Sequence, residues 1–103
     1  MARVCLKTMG RGVVGVTGEM SFTTVPDLWE QSRRLFPMIE GDHLEIDLTD
    51  VSRTDSAGLA LLVAWTRWAK SRSKSLRFIH VRPGIKALSE ANQLDRLLTL
   101  EVN

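Results

Sequence analysis

Apolar and polar residues alternate along several short stretches of the chain, and apolar residues recur at helical spacing between these stretches. Residues 44–48, Leu-Glu-Ile-Asp-Leu, alternate apolar and acidic side chains, which is typical of a strand with one buried face. A turn is expected directly after it, over 49–54. Similar patterns predict four further strands, at 4–7, 12–17, 75–81 and 97–102.

Helical spacing of apolar residues predicts three helices. The first runs from Val25 to Pro37, and Pro26 suits its first turn. The second spans 56–71, and the third spans about 83–90. The resulting order ββαβαβαβ predicts the α/β class, with a small mixed β-sheet packed with α-helices.

Length and composition narrow the class of protein. The chain has 103 residues, which suits a single domain spanning 1–103. A hydrophobic content of 44% is enough for a core and excludes global disorder. The net charge is +2, from 14 basic and 12 acidic residues, so the pI near 9.1 is a weak indication of nucleic-acid binding, which is not expected. No apolar run approaches the roughly 20 residues that span a bilayer, so direct membrane insertion is not expected either.

The residue types that carry enzymatic chemistry are sparse and scattered. Cys5 is the lone cysteine, which excludes an internal disulfide, fits a reducing cytoplasm and is expected to be buried in a strand. His43 and His80 have no metal-ligand spacing around them, and Ser56 has no evident neighbouring base. The sequence also lacks a glycine-rich phosphate loop. We therefore expect no catalytic residue, no metal and no cofactor, and a protein that acts by binding.

Residues 55–58, Asp-Ser-Ala-Gly, lie where the second helix begins. Asp55 or Ser56 can cap this helix, because a short polar side chain there accepts hydrogen bonds from free backbone N–H groups. The Ser56 hydroxyl has two further interpretations, a phosphorylation site and a contact point for another protein. The residues alone leave all three open. Gly58 is expected to let the helix approach the sheet or a partner closely.

The second helix is apolar on two faces rather than one. At about 100° per residue, one face is the expected core and carries Gly58, Leu61, Leu62, Trp65, Trp68 and Ala69. The opposite face begins apolar and ends basic, with Ser56, Leu59, Ala60, Val63, Arg67 and Lys70. Exposed apolar surface usually marks a contact site. The predicted partner-binding residues are therefore Ser56, Leu59, Ala60, Val63 and Arg67. The alternative is that another element of the same domain covers this face.

The segment around this helix start resembles a known family. Residues 47–62, Asp-Leu-Thr-Asp-Val-Ser-Arg-Thr-Asp-Ser-Ala-Gly-Leu-Ala-Leu-Leu, resemble the signature of STAS domains, and residues 18–20 and 25–30 resemble the corresponding stretches of that family. More narrowly, the chain is similar to the small STAS subunits of bacterial phospholipid-transport ABC systems, the MlaB family. Two positions depart from the family pattern. Ala57 stands where anti-sigma factor antagonists commonly have a second serine, and Ser21 stands where many members have an acidic residue.

The resemblance implies a STAS-like fold and a function in protein–protein interaction. It implies a non-catalytic accessory subunit that supports lipid asymmetry by binding the ATPase subunit of an ABC transporter, with its permease in the full complex. Such a subunit is cytoplasmic and reaches the inner membrane through its partners. The alternative is an anti-sigma factor antagonist, in which the position of Ser56 is the phosphoacceptor.

Overall fold

The computed structural model describes residues 4–102, and within them the chain forms one mixed sheet of five strands in the order β1-β2-β3-β4-β5. β1 and β2 are antiparallel, and each later strand lies parallel to its neighbour. The strands are β1 (Cys5–Gly10), β2 (Val13–Met20), β3 (His43–Thr54), β4 (Ser75–Val81) and β5 (Leu100–Val102).

Each pair of parallel strands is joined by a helix. In the described part of the chain these helices are α1 (Val25–Leu35), α2 (Ser56–Ser71) and α3 (Pro83–Ala91), and a 3₁₀ turn, Phe36–Met38, follows α1. A strand–helix–strand connection between parallel strands is nearly always right-handed. The three successive connections here run between neighbouring strands in the same direction along the sheet, so all three helices lie on the same face. α2 lies in the middle of this layer and contacts both α1 and α3.

Burial along the strands follows the single helix layer. In β3 the side chains of Leu44, Ile46 and Leu48 are buried, whereas those between them are partly exposed. Trp65 of α2 lies fully buried in the core, with its ring centroid 5.5 Å from that of Phe36. The core therefore lies between the sheet and the helices. Among residues 4–102, no helix has the length and apolar character needed to cross a membrane.

The order of strands and helices predicted from the sequence is confirmed, but three local predictions are wrong. The second strand does not end at 17, because its pairing with β3 carries β2 on to Met20. The segment 49–54 is not a turn, because β3 continues through Thr54. Its pairing with β2 keeps it extended, and Val51 is fully buried there. The last strand begins only at Leu100, because the N–H groups of Leu97 and Leu98 donate to the carbonyl of Leu94 in a helical turn.

The expected burial of Cys5 is also wrong. β1 lies at one edge of the sheet, and Leu6 is its buried residue. Neighbouring residues of a strand point to opposite faces. Cys5 therefore lies on the face without helices, where it is exposed.

Candidate functional site

The start of α2 is fixed by Asp55. One oxygen of its carboxylate, Oδ1, accepts hydrogen bonds from the N–H groups of Ala57 at 2.9 Å and Gly58 at 3.0 Å. These bonds satisfy two of the N–H groups that a helix leaves free at its first turn. The bond from Gly58 is the main cause that holds the pKa of Asp55 below its ordinary value, followed by a bond from Phe22. Of the two capping residues predicted from the sequence, Asp55 is the one that caps.

Asp55 also joins the helix start to the loop between β2 and α1. Its other oxygen, Oδ2, accepts a hydrogen bond of 3.0 Å from the N–H of Phe22, and its own N–H donates to the carbonyl of Met20 at 3.2 Å. Within the loop, the N–H of Ser21 donates to Thr24 Oγ1 at 2.8 Å. The two loops at this end of the sheet are therefore one hydrogen-bonded unit.

Phe22 is a candidate residue that the sequence reasoning missed. Its side chain is 81% exposed, although its backbone is bonded to Asp55 beside the start of α2. A large aromatic side chain with one fixed end and an exposed ring is a common anchor in protein interfaces. The signal in the sequence was a phenylalanine between the predicted strand at 12–17 and the first predicted helix, flanked by Ser21 and Thr23.

Gly58 lets α2 approach the sheet closely, as predicted. A Cβ atom at this position would overlap the carbonyl oxygen of Met20 and would lie 2.8 Å from Thr54 Cγ2. Real Cβ atoms do not approach other atoms so closely, so any side chain here would push α2 away from the ends of β2 and β3.

Ser56 is the first residue of α2, and its side chain is exposed. Within residues 4–102 its hydroxyl forms no hydrogen bond, because Asp55 already holds the nearby N–H groups. The interpretation of Ser56 as the helix cap is therefore wrong. Its hydroxyl is open to solvent, to a modifying enzyme or to a partner.

The outward side of α2 forms the floor of a shallow apolar groove of about 630 Å³. We call it the α2 groove, and it is lined by Trp29, Ala60, Val63, Ala64, Arg67, Trp68 and Leu94. Three of the predicted partner-binding residues, Ala60, Val63 and Arg67, thus lie together in one concave surface. Ser56 lies one helical turn before Ala60 on the same exposed side.

Leu59 does not belong to this surface, and its predicted exposure is wrong. It is only 2% exposed and belongs to the core. Leu59 lies nine residues before Trp68, which places the two on opposite flanks of α2 at 100° per residue. Trp68 packs on Phe36 beside α1, with ring centroids 5.6 Å apart, so the flank that carries Leu59 faces α3. The sequence reasoning treated α2 as a helix with one covered face, but neighbouring helices cover both of its flanks.

The charge around the α2 groove is one-sided. Arg67 is the charged residue among its lining residues, and Lys70 is exposed on the next turn. The guanidinium of Arg72 lies 5.7 Å from the ring centre of Trp68, in a cation–π contact at the same end. α2 itself contains no acidic residue. The groove therefore has an uncharged end near Ser56 and a basic end near Arg67.

A separate group of charged side chains lies on the face of the sheet without helices. There Arg77 forms ion pairs with Glu45 and, at 3.0 Å, with Glu101. The hydrogen bond between Arg77 and Glu45 raises the pKa of Arg77. His43 lies close to this pair, in a pocket of about 410 Å³. The described residues contain no cluster of His, Cys, Asp or Glu side chains able to hold a metal ion.

Comparison with protein families gives a match over most of the chain. A family model described as "Mlab, STAS domain" matches residues 7–99. This range includes the Asp55 turn, all of α2 and Phe22.

Solved structures of similar fold include anti-sigma factor antagonists. A putative anti-sigma factor antagonist from Thermotoga maritima has a TM-score of 0.75 at 14% identity, covering 97% of this chain and 86% of its own. Moorella thermoacetica RsbS has a TM-score of 0.71 at 17% identity, covering 99% of this chain and 88% of its own. The Bacillus cell fate determinant SpoIIAA in its phosphorylated form has a TM-score of 0.67 at 14% identity, covering 94% and 89%. At these identities the likeness establishes the fold.

Proposed function

The chain belongs to the STAS domain family, and we propose that it is a non-catalytic accessory subunit of a phospholipid-transport ABC transporter. In this role it binds the ATPase subunit and supports its assembly or activity. It lies on the cytoplasmic side of the inner membrane and reaches the membrane through that subunit and its permease.

The observation that carries the proposal is the α2 groove, an apolar surface at the outer side of the central helix. Ala60 is exposed and Val63 is only partly buried against the edge of the core, yet both are apolar. Burying one exposed valine or leucine side chain is worth about 1.5–3 kcal/mol. A few such side chains, together with the exposed ring of Phe22, are enough for an interface of moderate affinity, and Arg67 adds electrostatic steering.

Ser56 lies beside this surface and is part of the proposed contact. Its hydroxyl is exposed and makes no hydrogen bond within the described residues, so a partner can cover it without breaking any bond in this domain. A bulky charged residue at the same position would be forced into desolvated surface, which is costly. Ser56→Arg should therefore weaken the complex and leave the domain folded.

The proposal is tested by purifying the tagged full chain from its own cells and identifying the proteins that bind it. We expect the ATPase subunit of an ABC transporter with the wild type and with Lys7→Asp, a control on an exposed residue of the helix-free face of β1. Ser56→Arg and Val63→Asp should lose it. Wild-type protein that recovers no ABC ATPase subunit would contradict the proposal.

The second candidate is an anti-sigma factor antagonist, and the open hydroxyl of Ser56 favours it. SpoIIAA and the putative antagonist from Thermotoga maritima have the same fold and bear that description, and SpoIIAA is also described in a phosphorylated form. This function requires a serine kinase as the partner. Recovery of a serine kinase instead of an ABC ATPase, together with phosphate on Ser56 by mass spectrometry, would replace the first proposal with the second.

A further inference from the structure

The α2 groove restricts the backbone conformation of whatever binds in it. The edges of the sheet are β1 and β5, at the two ends of the strand order, whereas the groove is formed by α1, α2 and the segment after α3. Helices bond their own backbone groups internally and offer none to an extended peptide. A segment that buries its backbone in this groove must therefore satisfy its own hydrogen bonds, as an α-helix does.

The shape of the groove also suits a helix. Ala60 and Ala64 lie one turn apart on α2 and leave a low floor, since their side chains are small. Larger side chains, those of Trp29, Trp68 and Leu94, stand at the sides. A partner helix can thus approach the backbone of α2 closely and insert its own large apolar side chains between these walls.

The charges around the groove set the charge of the partner. Arg67, Lys70 and Arg72 lie at one end, and α2 has no acidic residue to neutralise them. On α1, Glu30 is already paired with Arg33 at 3.2 Å.

We propose that the α2 groove binds one amphipathic α-helix of a partner protein. The apolar face of that helix fills the groove, and its acidic side chains lie against Arg67, Lys70 and Arg72. The inference rests on the proposed function in one respect, namely that the helix belongs to the ATPase subunit.

Two other occupants fit the groove less well. A second copy bound through the same face would join two surfaces whose charged α2 residues are all basic, because a two-fold interface pairs a surface with itself. Neither copy of α2 offers an acidic residue to the other's Arg67 and Lys70. A lipid surface is flat, whereas the groove is concave, so its apolar floor could not reach the acyl chains.

The test uses the full chain and two designed peptides of about 18 residues, or five helical turns. Both peptides carry the same leucine face, and their remaining positions are glutamate in one and lysine in the other. Trp29 and Trp68 line the groove while Trp65 is buried away from solvent, so binding is followed by intrinsic tryptophan fluorescence.

We expect the glutamate peptide to bind at least about 10-fold more tightly than the lysine peptide, which corresponds to roughly 1.4 kcal/mol. Arg67→Glu should remove or invert this preference, and Lys70→Glu should reduce it. Val63→Asp should weaken both peptides. Circular dichroism checks that each variant is folded, and Lys7→Asp is the matched control that should bind like the wild type.

The proposal is overturned if the two peptides bind equally, or if the glutamate peptide shows no binding at a concentration of about 1 mM. A Kd of that size corresponds to a binding free energy of only about 4 kcal/mol. Two further results would overturn it. One is dimerisation of the free chain by sedimentation that Val63→Asp abolishes, and the other is binding to phosphatidylglycerol vesicles that the same substitution abolishes. If the glutamate peptide binds tightly but no ABC ATPase subunit co-purifies with the protein, the groove binds an acidic helix and the proposed function is wrong.

Discussion

Leu59 and Val63 are four residues apart on α2, and both are apolar, yet one is core and the other is surface. Leu59 is 2% exposed, whereas Val63 is partly exposed and lines the α2 groove. At 100° per residue their directions differ by only about 40°. α2 thus has a narrow outward strip, and a small rotation separates a fully buried side chain from one that is partly open to a partner.

The narrowness of the strip follows from the position of α2 in the fold. α2 is the central helix of its layer, with α1 on one flank and α3 on the other. The flanks of α2 are apolar, like its sheet side, because they pack against these neighbouring helices. In the outward strip the structural reason is weaker, because Ala60 is exposed and Val63 is only partly buried against the core.

The largest expected effect is loss of folding when charge enters the buried side of α2. Leu59→Asp should unfold the domain much as Leu62→Asp and Trp65→Asp do, because each would bury an unpaired carboxylate among apolar side chains. We expect losses of about 3–5 kcal/mol or more, by analogy with removal of one partner from a buried ion pair. Circular dichroism and thermal denaturation measure this. A folded Leu59→Asp variant with native Tm would mean that Leu59 belongs to the surface after all.

The next effect concerns the contact between α2 and the end of β2. Gly58→Ala should destabilise the domain by about 1–3 kcal/mol, as overpacked sites do, although alanine favours helix more than glycine. The cause is the added Cβ, which would overlap the carbonyl oxygen of Met20. Chemical denaturation measures the change. Ala57→Gly is the control, since it tests helix propensity alone at the neighbouring position, and increased stability of Gly58→Ala would contradict the close approach.

A smaller effect is expected at the cap of α2. Asp55→Ala should cost about 1–2 kcal/mol, because it removes the acceptor of the Ala57 and Gly58 N–H groups. Asp55→Asn should cost less, since asparagine also caps helices. Chemical denaturation at neutral pH compares the two variants.

The same carboxylate predicts a dependence on pH. Its pKa is lowered in the folded state from an ordinary value of 3.8, so its stabilising contribution is complete above that value and is lost as the pH falls through the lower native pKa. Between pH 7 and about pH 3, the wild type should therefore lose more stability than Asp55→Asn. Equal losses would show that Asp55 is not held in its ionised form by these bonds.

The smallest effect on stability is expected at Phe22. Its ring is exposed, so Phe22→Ala should change the free energy of unfolding by no more than about 0.5 kcal/mol. It should nevertheless weaken partner binding, since exposed aromatic anchors dominate many interfaces. Thermal denaturation and co-purification are compared in the same preparation. A large loss of stability would place Phe22 with Leu59 rather than with Val63.

The order of elements was predictable because it depends on local patterns. The alternation at 44–48 and the apolar spacing through α2 appear in the structure as β3 and the central helix. The mostly polar residues at 49–54 carry little apolar pattern, so the sequence predicts a turn there. Pairing with β2 instead extends β3 through these six residues. Pairing between distant strands leaves no local signal of its own.

The candidate site was only partly predictable for the same reason. Ala60, Val63 and Arg67 follow from helical periodicity, and all three line the groove. The contributions of Trp29 and Leu94 come from other elements, and the position of Phe22 depends on its bond to Asp55, 33 residues away. Helical periodicity gives the direction of each side chain but not which flanks the neighbouring helices cover, so it misplaced Leu59.

We propose that the outward strip of α2 is apolar chiefly for binding rather than for folding. The most direct measurement is the affinity of Val63→Asp for the ATPase subunit, taken together with its Tm and compared with Lys7→Asp. We expect a Tm within a few degrees of the wild type for both variants, and loss of binding for Val63→Asp alone. Unfolding of Val63→Asp, or unchanged affinity in a folded Val63→Asp, would contradict it.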